Sequence, residues 1–150
     1  MRRLLSLLTV LAFSVYATGQ WATPAQIPAY HLAPPAKDEK MEPLIPPDQV
    51  EVTKGTKYEG MQRHAYALAA KIPKVLYQQP CYCRCDQSMG HTSLRSCYSG
   101  QHAAICQACL KELYYSYVMT RQKKTPEQIR QGIVAGEWQS IDLETAGSIE

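Results

Sequence analysis

The chain is predicted to fold as a mainly α, small cysteine-rich helical domain, stabilised by metal or disulfides and placed behind a proline-rich linker. Three observations carry this. Apolar residues recur at helical spacing beyond residue 58. Seven of the ten prolines, Pro24, Pro28, Pro34, Pro35, Pro43, Pro46 and Pro47, gather ahead of that region. All six cysteines lie between Cys81 and Cys109. A length of 150 residues suits one ordinary domain. With 45% hydrophobic and 19% charged residues, the chain is neither a disordered polyampholyte nor a multi-span membrane protein. The formal net charge of +3 includes Arg2 and Arg3 of an N-terminal targeting segment. The remainder is nearly balanced, so bulk charge gives no argument for nucleic-acid binding.

Residues 1–19 read as a secretory signal peptide. Arg2 and Arg3 form a positive start, Leu4 to Tyr16 is an uncharged apolar run, and Ala17-Thr18-Gly19 supplies small residues for cleavage. The run is short against the ~20 residues of a membrane span, so an uncleaved anchor is the lesser reading and no stable span is expected after cleavage. No cysteine follows the run, so a lipid-modified terminus is not expected. Ordinary export of the unfolded chain is favoured over a twin-arginine route. The expected location is the periplasm or the extracellular space, as a soluble protein, where disulfides persist.

Residues 20–55 read as the linker, with disorder the expectation that its prolines set, since each fixes φ and removes a donor. His31 is expected to be solvated there. The cysteine-rich domain follows over 56–143. Tyr58 to Lys71 forms its first helix, with Met61, Ala65, Leu68 and Ile72 on one side, and Pro73 ends it. His64 in this helix is a structural or surface histidine. Lys74 to Gln79 reads as a short extended piece. Ser99 caps a long helix over Gln101 to Thr120, which puts His102, Cys106, Cys109 and Leu113 on one face. Thr125-Pro126-Glu127 opens a last helix with Ile129, Ile133 and Val134 on its apolar side, stopped at Gly136. Trp138, Ile141 and Leu143 fold back, and residues 144–150 form a loose tail. So small a unit has a limited core, and cross-links or a metal make up the shortfall.

The chemistry-bearing residues are Cys81, Cys83, Cys85, His91, Cys97, His102, Cys106 and Cys109. In tetrahedral zinc, sulfurs lie about 3.8 Å apart. In an extended strand, Cys81 and Cys85 would lie about 13 Å apart. The segment is therefore turned, or its thiols serve different ions or disulfides. Eight donors would fill two four-coordinate sites. Six cysteines also divide into three disulfides with 15 connectivities. Glu112, three residues after Cys109, is placed to orient a ligand histidine.

Pro80-Cys81-Tyr82-Cys83-Arg84-Cys85, Gly90-His91, Cys97 and the run His102 to Cys109 resemble the bacterial PCYCGC-motif family, over about Tyr58 to Gly136. The resemblance implies an exported bacterial protein, a lipoprotein in some relatives, and no known enzymatic activity. Two departures stand out. Arg84 occupies the motif's glycine, which reads as a position that does not need φ > 0, and Ala103 stands where glycine often follows the histidine.

Three functions remain open. A thiophilic-metal-binding protein, structural, storage or delivery in role, uses the Cys/His cluster, with zinc the default and copper or an iron–sulfur centre also suited. A disulfide-stapled scaffold or partner-binding module uses the same cysteines without the histidines. A thiol–disulfide oxidoreductase through Cys106-Gln107-Ala108-Cys109 is third, because Cys106 is predicted inside a helix rather than at its N-terminus. Tyr98, Tyr114, Tyr115 and Tyr117 read as packing more than as a ligand surface, and Arg121, Lys123, Lys124 and Arg130 as solvated helix ends. The chain has no phosphate loop, serine-nucleophile elbow or paired-carboxylate signature, and Leu110 excludes the Cys-x-x-Cys-His haem motif.

Overall fold

The computed structural model describes residues 27–52, 54 and 58–150. The expected signal peptide and the first part of the expected linker lie outside the described residues. Six α-helices follow in order: α1 Glu59–Lys71, α2 Pro73–Leu76, α3 Cys85–Met89, α4 His102–Ile105, α5 Gln107–Arg121 and α6 Pro126–Val134. Short 3₁₀ turns link them, and no strand occurs among the described residues. None of the described helices is long and apolar enough to cross a membrane.

Helix α5 is the axis. It buries Cys109, Leu110, Glu112, Leu113, Tyr114, Tyr115, Ser116 and Tyr117, residues on more than one side of the helix. Helices α1, α2, α4 and α6 pack around it. α1 contributes Met61, Ala65, Leu68 and Ala69, as its apolar spacing predicts. Ile72 leaves helical geometry at φ −128°, and Pro73 then opens α2 instead of an extended piece. Proline has no amide hydrogen to lose in a first turn, so the residue that stops one helix starts the next.

Thr125 caps α6 as predicted. Its hydroxyl accepts from the Gln128 amide at 3.2 Å, while the Gln128 side chain accepts from the Thr125 amide at 3.0 Å. Ile129 and Ile133 bury against Tyr115. Gly132 is required there, because a Cβ at this position would lie 1.8 Å from the Tyr115 hydroxyl oxygen. That hydroxyl passes over Gly132 and donates to Glu137.

Residues 27–52, expected as a free tether, lie against the helical unit. Pro28 and Val50 are buried, and Leu44, Ile45 and Val52 pack on the core. The Ile45 amide donates to the Tyr98 carbonyl at 3.0 Å. Its prolines bring no amide hydrogens, so the segment satisfies few of its own carbonyls, and the domain supplies further donors. Arg63 reaches the carbonyls of Pro47 and Asp48, Arg95 that of Glu42, and Gln101 that of Gln49. His31, expected to be solvated, is half-buried and stacks on Tyr77 with ring centroids 3.7 Å apart. At the other end, the tail is not loose. Leu143 and Ala146 are buried, Ile149 packs on the core, and the turn Ala146–Ser148 lies on α1.

The tyrosines are packing residues. Tyr98 and Tyr114 are fully buried and donate to the carbonyls of Cys109 and Met61. His64 is structural, its Nδ1 3.1 Å from the Tyr114 hydroxyl oxygen. Burial, with Lys71 nearby, holds its imidazole below the usual range. Arg130 is not a solvated helix end. Its guanidinium lies over the Tyr30 ring and donates to the Gln78 carbonyl.

Candidate metal centre

The Cys81–Cys85 segment is turned, which decides the question of reach. The Arg84 amide donates to the Cys81 carbonyl at 3.3 Å, and Arg84 itself is left-handed at φ 62°. The reading of Arg84 as a position without need of positive φ is therefore corrected. Left-handed backbone brings Cβ close to the following carbonyl, a cost that glycine escapes. The structure thus gives the motif's glycine a physical reason, and Arg84 meets the cost. Replacing Arg84 with glycine is expected to stabilise the fold by about 1 kcal/mol. A urea midpoint unchanged or lowered in Arg84→Gly would contradict this.

After the turn, Cys85 opens α3, and Gly90 at φ 72° reverses the chain. The His91 amide then donates to the Cys85 carbonyl at 3.3 Å. The 3₁₀ turn Leu94–Tyr98 carries Cys97 into the core.

The expected long helix over Gln101 to Thr120 is broken. Gln101, not Ser99, precedes α4, and Cys106 is extended at φ −109°, ψ 109°, as the N-cap of α5. His102, Cys106 and Cys109 therefore do not share one continuous helix face. They still converge, because the break at Cys106 redirects the chain around the Cys81 turn. Cys106 at a helix N-terminus also removes the geometric objection to an oxidoreductase. The thiols held below the usual range, however, are Cys83, chiefly through Cys106, and Cys85, chiefly through Cys81. Cys106 itself is raised.

All six cysteines are free thiols. The Cys81 sulfur lies 3.3 Å from those of Cys83 and Cys109, and Cys85 lies 3.3 Å from Cys97. Cys83 is 3.6 Å from Cys109 and 3.4 Å from Nε2 of His102. Among the described residues, three groups of four donors each lie within 4.8 Å of one another. They are Cys81, Cys83, Cys97 and Cys109; Cys83, Cys85, Cys97 and His102; and Cys83, His102, Cys106 and Cys109. His91 belongs to none of the three, though its Nδ1 is 3.3 Å from the Cys97 sulfur. Cys81, Cys85, Cys97 and Cys109 are buried, whereas Cys83, His91, His102 and Cys106 are half-buried. The cluster thus has an inner wall and an outer mouth.

Glu112 behaves differently from expectation. It is fully buried, and its Oε1 accepts the Tyr82 amide at 2.8 Å. It anchors the backbone of the cysteine turn and does not orient a histidine. Its second oxygen has no other hydrogen-bond partner among those resolved. Burial pushes its carboxyl up to about 8. Position alone could not assign this role, since the amide it meets belongs to a turn 30 residues earlier.

The family described as proteins of unknown function with a PCYCGC motif matches residues 48–139, more than half of the chain. The chain belongs to the PCYCGC family. Its match covers every cysteine and both histidines of the cluster, and it begins within the segment that the helical unit holds at Val50. No curated protein and no solved structure matches the chain. As a PCYCGC protein it keeps the motif's three alternating cysteines, with arginine at the position of the motif's glycine.

Proposed function

We propose that this PCYCGC protein is exported and binds a thiophilic metal ion through its cysteine–histidine cluster. The carrying observation is that soft thiols and an imidazole form groups of four within 4.8 Å, close to the spacing of tetrahedral ligands. Such donors suit zinc first, with copper and iron–sulfur centres as the other members of the same class. The half-exposed Cys83, His102 and Cys106 support exchange with a metal donor or acceptor over a closed structural site. Export is supported by the signal-like residues 1–19.

The test takes mature protein exported by its own signal and purified without chelator. Elemental mass spectrometry is combined with intact mass after alkylation under denaturing conditions. Bound metal, with most thiols alkylated without reductant, is expected. His102→Ala is expected to lower the metal content, because two donor groups use His102. His91→Ala is expected to leave it unchanged. A metal-free chain with no alkylatable thiol would replace this reading with three disulfides. Cys81–Cys109 and Cys85–Cys97 would then be the first pairs to map.

A further inference from the structure

Every one of the three donor groups contains Cys83. No two of them can be filled by separate ions unless Cys83 serves both. A thiolate sulfur has lone pairs enough to bridge two ions, whereas the Nε2 of His102 has one. The second and third groups share His102 and so cannot both be filled. The first and third share only the sulfurs of Cys83 and Cys109. The first and second share only Cys83 and Cys97.

Charge favours filling a second group, and burial chooses which one, because either pairing adds one thiolate and one imidazole. The first group has three buried thiols, Cys81, Cys97 and Cys109. One divalent ion among four thiolates would leave a net charge of about −2 in that interior, which is costly. A second divalent ion on the third group adds one thiolate, Cys106, and a neutral imidazole. The net charge then falls to about −1, and the added donors lie at the half-exposed mouth. Pairing the first group with the second adds buried Cys85 and leaves half-exposed Cys106 unused.

We infer that the cluster is a binuclear, thiolate-bridged centre for two zinc ions, with Cys83 and Cys109 as the bridges. This rests on the metal-binding reading above. The inner ion takes Cys81, Cys83, Cys97 and Cys109. The outer ion takes Cys83, His102, Cys106 and Cys109. The inner ion is held and the outer ion exchanges, because three of the outer ion's four donors are half-exposed.

The test uses the reduced full chain under anaerobic conditions, titrated with zinc chloride and, in parallel, with copper(I) against a chromophoric competitor. Native mass spectrometry counts the bound ions, and X-ray absorption reads their neighbours. The expected wild-type result is two equivalents with a metal–metal scattering path. Cys106→Ser is expected to bind one equivalent, and Cys83→Ser at most one. One equivalent at saturation in the wild type would overturn the binuclear centre and leave the metal-binding reading standing. No binding of either ion would overturn the metal-binding reading itself. Two equivalents without a metal–metal path, or two retained by Cys83→Ser, would mean separate sites and no bridge. The absorption measurement on the wild type decides the matter even where Cys83→Ser fails to fold. Two equivalents of copper(I) with no comparable zinc binding would overturn the assignment to zinc.

Discussion

Replacing Glu112 with glutamine is expected to stabilise the reduced, metal-free protein at about pH 8.5 and to change it little at about pH 4.5. Glu112 is fully buried on α5, and burial raises its carboxyl from 4.5 to about 8. Between those values the folded chain holds a proton that the unfolded chain has lost. Stability therefore falls as pH rises through this window and is greatest below it. Each pH unit is worth about 1.4 kcal/mol, so the loss is on the order of several kcal/mol across the window. Glutamine keeps a carbonyl for the Tyr82 amide and carries no charge. The difference between the two proteins isolates Glu112 from the titrating thiols around it. The measurement is urea unfolding of both proteins at the two pH values, under reductant and chelator. A difference independent of pH would show that Glu112 is ionised in the fold.

Tyr98→Ala is the second large effect, an expected loss of about 3–5 kcal/mol. The ring is fully buried, lies edge-on to Tyr66 with centroids 4.9 Å apart, and donates to the Cys109 carbonyl at 2.9 Å. Its own carbonyl accepts the Ile45 amide, so the same residue joins the proline-rich segment to the axis helix. The substitution opens a cavity beside Cys97 and Cys109, the deepest part of the cluster. A loss of this size is a large fraction of the stability of a small domain. Tyr98→Phe keeps the ring and removes one hydrogen bond, for an expected loss of about 1 kcal/mol. Equal losses in the two variants would place the energy in the hydroxyl and contradict the packing argument.

The helices that were legible are those whose signals are local. α1 shows its apolar spacing, and α6 shows its threonine, proline and Gln128 cap within four residues. The break at Cys106 was not legible. Residues 102–109 contain no proline or glycine, so nothing local separates α4 from α5. The packing of residues 27–52 was hidden for a related reason. Proline describes the backbone it prefers, and the donors that hold that backbone, Arg63, Arg95 and Gln101, lie far along the chain. Arg84 misled because arginine rarely takes left-handed backbone; the turn needs it whatever the side chain.

By itself the sequence determined that the protein is small, helical and built around six cysteines, and that it carries the PCYCGC motif. Composition, helical periodicity and cap residues act over a few residues, so each can be read along a line. Only the tertiary structure decided which donors meet. It drew Cys81, Cys83 and Cys85 into one turn, brought His102 and Cys106 across from the broken helix, and left His91 outside every donor group, beside Cys97 and edge-on to His102. It also made Cys83 common to every donor group. Spacing in a chain fixes only how far apart two residues can be. Where they come to rest is set by the core that forms behind them, here the buried Tyr98, Glu112 and Leu113 beneath the cysteine turn.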